Sequence, residues 1–182
     1  MKKFHAKDLA DWRRWLEKNH LKEDKVLLIK DKKHTGKPII HNMDSMKTAI
    51  CFGWIDTTLK RIDEDRYAIT YVKRNKNSRW SINTLSYGKE LLKKGLMSQF
   101  GIKMYKEGLQ KKPHDAGIPK NPQMPKDMKD ALEKSKKLDK FMKLSNSSRR
   151  VYFRMFLRIK RPETKIKFIK NLISSINHDR KI

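Results

Sequence analysis

Ile50-Cys51-Phe52-Gly53-Trp54-Ile55-Asp56 is the stretch on which the fold turns. An apolar run of helical spacing, carried by Met43, Met46, Ala49 and Ile50, changes at Gly53 into an apolar run of strand character. Three infrequent residue types, Cys, Gly and Trp, stand together at the change. The spacing predicts a helix that ends near Gly53. Beyond it, Trp54 to Ile62 and Tyr67 to Lys73 alternate well enough to be two strands, with Asp63-Glu64-Asp65 as the hairpin turn.

Working outward, Leu9, Trp12 and Leu16 recur at helical spacing beside Trp15, while Asp11, Arg13, Arg14 and Glu17 take other faces. This is a first helix over residues 7–19. Val26-Leu27-Leu28-Ile29 reads as a buried strand, and Lys32 to Pro38, with Gly36, as a loop. Asn75-Lys76-Asn77-Ser78 is polar punctuation before a helix over residues 80–94. Residues 1–110 therefore read as an α+β domain, a small antiparallel sheet covered by helices.

The pattern shifts after Gln110. Pro113, Pro119, Pro122 and Pro125, with Gly117 and Asn121, mark a proline-rich connector over residues 111–127. Proline at that density precludes helix and favours an extended, semi-rigid segment. Residues 128–182 are helical in pattern and hold none of the four Trp. Ser147 is a candidate N-cap for a helix through about Lys160. Pro162 suits the first turn of a last helix, whose Ile166, Ile169, Leu172, Ile173 and Ile176 share one face.

The Ala49-to-Asp56 string resembles the signature of the YdeI/OmpD-associated family, whose name links it to bacteriocin protection. The resemblance runs from Trp12 to about Ile169. It includes Trp15-Leu16-Glu17-Lys18-Asn19, Ser78-Arg79-Trp80-Ser81, Gly117-Ile118-Pro119-Lys120-Asn121-Pro122 and Lys160-Arg161-Pro162-Glu163-Thr164-Lys165. Lys73, where the family often has Pro, and Phe156, where it commonly has Trp, depart from that pattern. The resemblance implies the fold and a small cytoplasmic protein; it implies no reaction.

Charge points to partners. The chain has 46 Lys and Arg against 20 Asp and Glu, a net charge of +26 spread along its length. Self-repulsion at that level is relieved by salt or by an anionic partner. Nucleic acid ranks first, an anionic membrane surface second and acidic protein third. Cys51 is the single cysteine, so no intrachain disulfide forms. The N-terminal residues lack a secretory pattern, and no apolar run is long enough to span a bilayer. A reduced, cytoplasmic protein without integral membrane association is expected. His5, His20, His34, His41, His114 and His178 are scattered without metal spacing, and no dinucleotide or EF-hand pattern appears. No metal or cofactor is expected.

Arg150, Arg154, Arg158 and Arg161 recur every three or four residues, opposite Tyr152, Met155, Phe156 and Ile159. Together with Arg149 and Lys160 they form the first candidate for contact with nucleic acid. Residues 141–170 hold ten Lys and Arg against the single acid Glu163. Guanidinium forks pair well with phosphate oxygens. Against this stands a plain solvated face, with Pro162 kinking the row. A second cluster, Arg74, Lys76 and Arg79 beside Trp80, suits a loop that grips phosphate with an aromatic to stack on. Burial of Trp80 as the first core residue of its helix is the competing reading. A third set, Lys33, His34, Thr35, Trp54, Asp56 and Trp80, is a possible pocket, in which Asp56 could serve as acid or base, His34 as proton shuttle and Cys51 as nucleophile. No catalytic spacing unites them, and Cys51, flanked by Ile50 and Phe52, fits a buried small hydrophobe. The expected activity is non-catalytic, sequence-independent binding of nucleic acid through the phosphate backbone. Its rivals are a protective factor binding an anionic envelope component or small anionic ligand, and an enzyme with a pocket near Asp56.

Overall fold

The computed structural model describes residues 1–177, so His178 and the rest of the last five positions lie outside the described residues. By contacts the chain divides into two compact units, Met1–His114 and the residues from Asp115 onward.

The first unit is α+β. Its strands are β1 (Lys2–His5), β2 (Lys25–Asp31), β3 (Trp54–Arg61) and β4 (Arg66–Lys73), in the sheet order β1-β2-β4-β3. Its helices are α1 (Leu9–Asn19), α2 (Asn42–Cys51), α3 (Ile82–Lys93) and α4 (Gln99–Leu109). The β3–β4 hairpin and the β2–β4 pair are antiparallel, as expected. Strand β1 is an addition, and it lies parallel to β2 from Lys2↔Val26 to His5↔Ile29. Two adjacent lysines and a single apolar residue, Phe4, give it no alternating pattern to read.

Val26 and Leu28 of β2 face the helices, opposite Tyr71 and Ile69 of β4. Trp12 and Trp15 of α1 stack at 5.4 Å, Trp15 meets Trp54 edge-on at 5.9 Å, and Trp12 lies 5.0 Å from Tyr71. Asp8 caps α1 by accepting from the Asp11 amide at 2.6 Å. Ser81 and Thr84 close a reciprocal capping box at the start of α3. Gly53, at φ +71, ends α2 in the left-handed conformation that lets the chain turn into β3, and its amide bonds Ile50 O at 3.0 Å.

Helix α4, in a region the sequence leaves unassigned, contains Gly101 and Gly108, both poor helix formers. Packing explains them. A Cβ on Gly101 would lie 2.1 Å from the carbonyl oxygen of Cys51, and one on Gly108 would lie 2.5 Å from the Trp80 ring. Close approach of α4 to the end of α2 thus requires glycine at 101.

The second unit is helical: α5 (Lys126–Lys134), α6 (Leu138–Met142), α7 (Asn146–Arg158) and α8 (Pro162–Asn177). Met128, Leu132, Phe141, Phe156 and Leu172 form its core. Of the expected face on α8, Ile169, Leu172, Ile173 and Ile176 pack inward while Ile166 is exposed. Ser145, not Ser147, caps α7, accepting from the Ser148 amide. The helix stops at Arg158, because Ile159 is extended and Pro162 begins α8.

The backbone contact at Gly101 is directly testable. Gly101→Ala should lower unfolding stability by about 3 kcal/mol, since neither carbonyl nor helix can yield without repacking. A chemical-denaturation midpoint indistinguishable from the parent's would show that α4 stands off α2 in solution.

Candidate functional site

The arginines of α7 serve two purposes. Arg154 donates from Nη1 to the Pro119 carbonyl, and its Nη2 lies 3.4 Å from the buried Asp115 carboxylate. Arg150 donates to Asn121 Oδ1 at 2.9 Å, and Arg149 donates to Asn146 Oδ1. The proline-rich segment from Asp115 to Asn121 is thus held on α7 by two of the arginines read as a phosphate-binding row. Arg158, Lys160 and Arg161 differ. All three are exposed, and none has a side-chain partner among the described residues. Of the opposite stripe, Phe156 is buried and Tyr152 packs against the core, but Met155 is 44% exposed and Phe153 takes an inward place instead.

The second cluster is split by burial. Arg74 is only 3% exposed and its guanidinium lies 3.6 Å from the centre of the Trp80 ring. Nη1 donates to the Arg79 carbonyl at 2.9 Å, while Nε has no hydrogen-bond partner among the described residues. Burial pulls its pKa down to about 10, against the opposing influence of Asp56. Trp80 is itself buried at 3% exposure, so it is covered by Arg74 and not open to a base. Lys76 and Arg79 are exposed. The Lys76 carbonyl accepts from Lys111.

The third set does not converge. Lys33, His34 and Thr35 form a single 3-10 turn, and His34 Nε2 pairs with Asp65 at 3.0 Å rather than with Asp56. Trp54 is fully buried, donating to the His20 carbonyl at 3.1 Å, and Asp56 is exposed on β3. Cys51 is buried in the core, where desolvation raises its thiol pKa despite the opposing charge of Arg13. A cavity of about 460 Å³ does border Cys51, between Leu9, Arg13, Lys47, Leu91 and Leu96. Another, of about 380 Å³, lies at the ends of β1 and β2.

The sequence does not single out Lys30. It is 1% exposed on the helix-facing side of β2, donating to Asn42 Oδ1 at 2.7 Å and Ser45 Oγ at 3.1 Å. Tyr67 and Tyr71 hydroxyls donate into the same Asn42–Ser45 pair at 2.9 Å each. Burial lowers the Lys30 pKa to about 8, with Asp44 acting in the opposite sense. Its signal is the parity of Val26, Leu28 and Lys30, which places a lysine on a core face. Among the described residues no group of three or more His, Cys, Asp and Glu could hold a metal ion, and no helix is long and apolar enough to cross a membrane.

Residues 4–104, more than half of the chain, match the model of a family described as Domain of unknown function (DUF8412). The chain belongs to the DUF8412 family. Residues 121–178 match the model described as Bacteriocin-protection, YdeI or OmpD-Associated. The family resemblance in the sequence is thus supported over the C-terminal segment. The Ala49-to-Asp56 string falls within the DUF8412 match. Neither the curated proteins nor the solved structures give a significant match.

Two measurements follow for this DUF8412 chain. Lys30 binds its proton less tightly folded than unfolded. Below about pH 8 both states are protonated and the cost of burying the charge is fully present. Between that point and the ordinary lysine pKa the unfolded state holds more protons, so this residue's contribution to stability rises with pH. The difference in unfolding free energy between the parent and Lys30→Met should move in the parent's favour by up to about 3 kcal/mol across that window, less any solvent screening at the exposed Asn42 end. A pH-independent difference would place the ammonium in water. Cys51 should also react with a thiol reagent only at the rate of unfolding; labelling within seconds under native conditions would show an open path to it.

Proposed function

We propose that the protein binds nucleic acid through the phosphate backbone, without catalysis and with little sequence preference, at the basic corner where α7 gives way to α8. The observation that carries this reading is the run Arg158, Lys160 and Arg161, three exposed cations without intrachain side-chain partners among the described residues. Unpaired guanidinium and ammonium groups retain their full capacity for phosphate oxygens. The arginines nearer the start of α7 are engaged with Asp115, Pro119 and Asn121, which moves the contact toward the helix end. The surrounding charge favours it, because residues 115–182 hold 19 Lys and Arg against 7 Asp and Glu.

A second reading draws on exposed apolar residues beside that charge: Val151 at 54%, Met155 at 44% and Leu157 at 41% on α7, and Ile166 at 56% on α8. Basic and apolar groups side by side suit an anionic bilayer surface, where the charge attracts and the apolar side chains insert. This agrees with the bacteriocin-protection description of the family model matched over residues 121–178.

Salt dependence separates the readings. Binding to a labelled DNA duplex should weaken steeply with salt, and a triple Arg158→Ala, Lys160→Ala, Arg161→Ala variant should flatten the log–log slope by up to about three units. The control removes the same charge at Lys22, Lys25 and Lys89, exposed positions on the first unit. Equal losses from the two variants would mean that diffuse charge alone is responsible. Binding to phosphatidylglycerol vesicles that survives salt sufficient to release DNA, and that falls on changing Val151 and Met155 to Ser, would establish the bilayer reading in its place.

A further inference from the structure

Strand β2 carries an unbroken apolar run, Val26-Leu27-Leu28-Ile29, and β4 carries Ala68, Ile69, Tyr71 and Val72 around Thr70. Successive side chains of a strand point to opposite faces of its sheet. Val26, Leu28, Ile69 and Tyr71 enter the core beneath the helices, so Leu27, Ile29, Ala68, Thr70 and Val72 lie on the other face. None of those five belongs to either hydrophobic core, and neither does Ile55, which pairs with Val72 from β3. A sheet with one face in water alternates apolar with polar residues, whereas unbroken apolar runs mark strands covered on both faces. The helices of the first unit pack on one another and on the first face only. The second face is apolar at its centre and calls for a cover.

The strand register shows what surrounds that centre. Lys25 stands beside Val72, and Lys3 of β1 beside Leu27. On the opposite flank Lys60 of β3 stands beside Ala68. All three lysines are exposed and have no intrachain side-chain partner among the described residues. Leu27, Ile29, Ile55 and Val72 are half-buried, and Ala68 and Thr70, short side chains on a central strand, are buried at 0% and 6% exposure. The apolar floor is thus set low between two cationic flanks. Thr58 Oγ1 donates to Thr70 Oγ1 at 3.1 Å, so neither hydroxyl is left without a partner when water is excluded.

We propose that this face docks an amphipathic helix of an acidic partner protein, its apolar stripe on Leu27, Ile29, Ile55 and Val72 and its carboxylates against Lys3, Lys25 and Lys60. Four strands span roughly 14 Å from first to last. A helix roughly 10–12 Å across fits that width, with both of its acidic flanks within reach of a lysine. Charge and shape select this occupant over others. A second copy would set the same lysines face to face, a like-charge penalty. Nucleic acid would find no ring to stack on, because Tyr67 and Tyr71 point to the helix side. A bilayer needs apolar side chains that protrude past the charge, and here they are recessed. The face lies wholly within the first unit and is independent of the basic corner proposed for nucleic acid.

The experiment titrates the full chain, followed by amide and methyl NMR, with a synthetic helical peptide of about 18 residues, roughly 27 Å long. Leucines form one stripe of the peptide and glutamates the rest; a scramble of the same composition is the comparison. Saturable shifts are expected at Leu27, Ile29, Ile55, Thr70 and Val72, with the scramble binding at least about tenfold more weakly. The triple variant Lys3→Glu, Lys25→Glu, Lys60→Glu should weaken the peptide by about tenfold or more. The same reversal at Lys89, Lys93 and Lys106, exposed on α3 and α4, should cost about threefold or less. Leu27→Thr with Val72→Thr should weaken it comparably to the sheet-face reversal, at positions that leave the core intact. Equal binding of peptide and scramble would overturn the proposal, as would equal losses from the two charge reversals. Shifts confined to Arg158, Lys160 and Arg161 would overturn it too, and would leave the nucleic-acid reading standing. Concentration-dependent shifts of this face without peptide would assign it to a second copy instead. Should the threonine variant not fold, the scramble and the charge reversals decide together.

Discussion

Ser45 of α2 ties the first unit together. Its carbonyl accepts from Trp12 Nε1 at 3.1 Å, and its hydroxyl accepts from Lys30 at 3.1 Å and from Tyr71 at 2.9 Å. One buried residue thus joins α1, β2 and β4 to α2. The arrangement is demanding, because a buried donor stripped of its acceptor costs about 1–3 kcal/mol. It also explains how a lysine sits on a core face at all: its ammonium is surrounded by oxygen atoms of Asn42 and Ser45 and by the Tyr67 ring at 5.6 Å. The tryptophans supply contact area around this point, and the polar group fixes which way the elements face.

The parts of the fold most legible in the sequence were those with a strong period. Val26 to Ile29, the helix into Gly53 and the hairpin around Asp63 each carry enough apolar repetition to be read locally. Strand β1 and helix α4 were not legible, for different reasons. Lys2-Lys3-Phe4-His5 becomes a strand only because β2 offers it an edge, and Gly101 is explained only by the Cys51 carbonyl that faces it. Site residues follow the same division. Exposure at Arg158 and Arg161 agrees with their sequence context, whereas the burial of Arg74 depends on Trp80 folding back over it, a contact across a loop. Asp31 and His5, 26 positions apart, meet only through the parallel pairing.

Basic residues in this chain are not one population. Lys30 and Arg74 are buried, and their pKa values fall accordingly. Arg154 is a structural cation, paired with a carboxylate that is 2% exposed. Others, such as Lys22 and Arg158, stand in solvent. Net charge therefore overstates the number of cations available to a partner, and an interface has to be sought among those without an internal role.

The approach of α4 to the end of α2 also bears on the order in which the chain is made. All four strands are present once Lys73 has been synthesised, yet the helix that closes over Cys51 and Phe52 extends to Leu109. Between those points a nascent chain carries a finished set of strands under an incomplete cover, with Trp54 and its neighbours still lacking Phe100, Met104 and Tyr105. At a synthesis rate of roughly 5–20 residues per second this interval lasts on the order of seconds. The exposed apolar surface of that intermediate is the form most open to association with a neighbouring nascent chain.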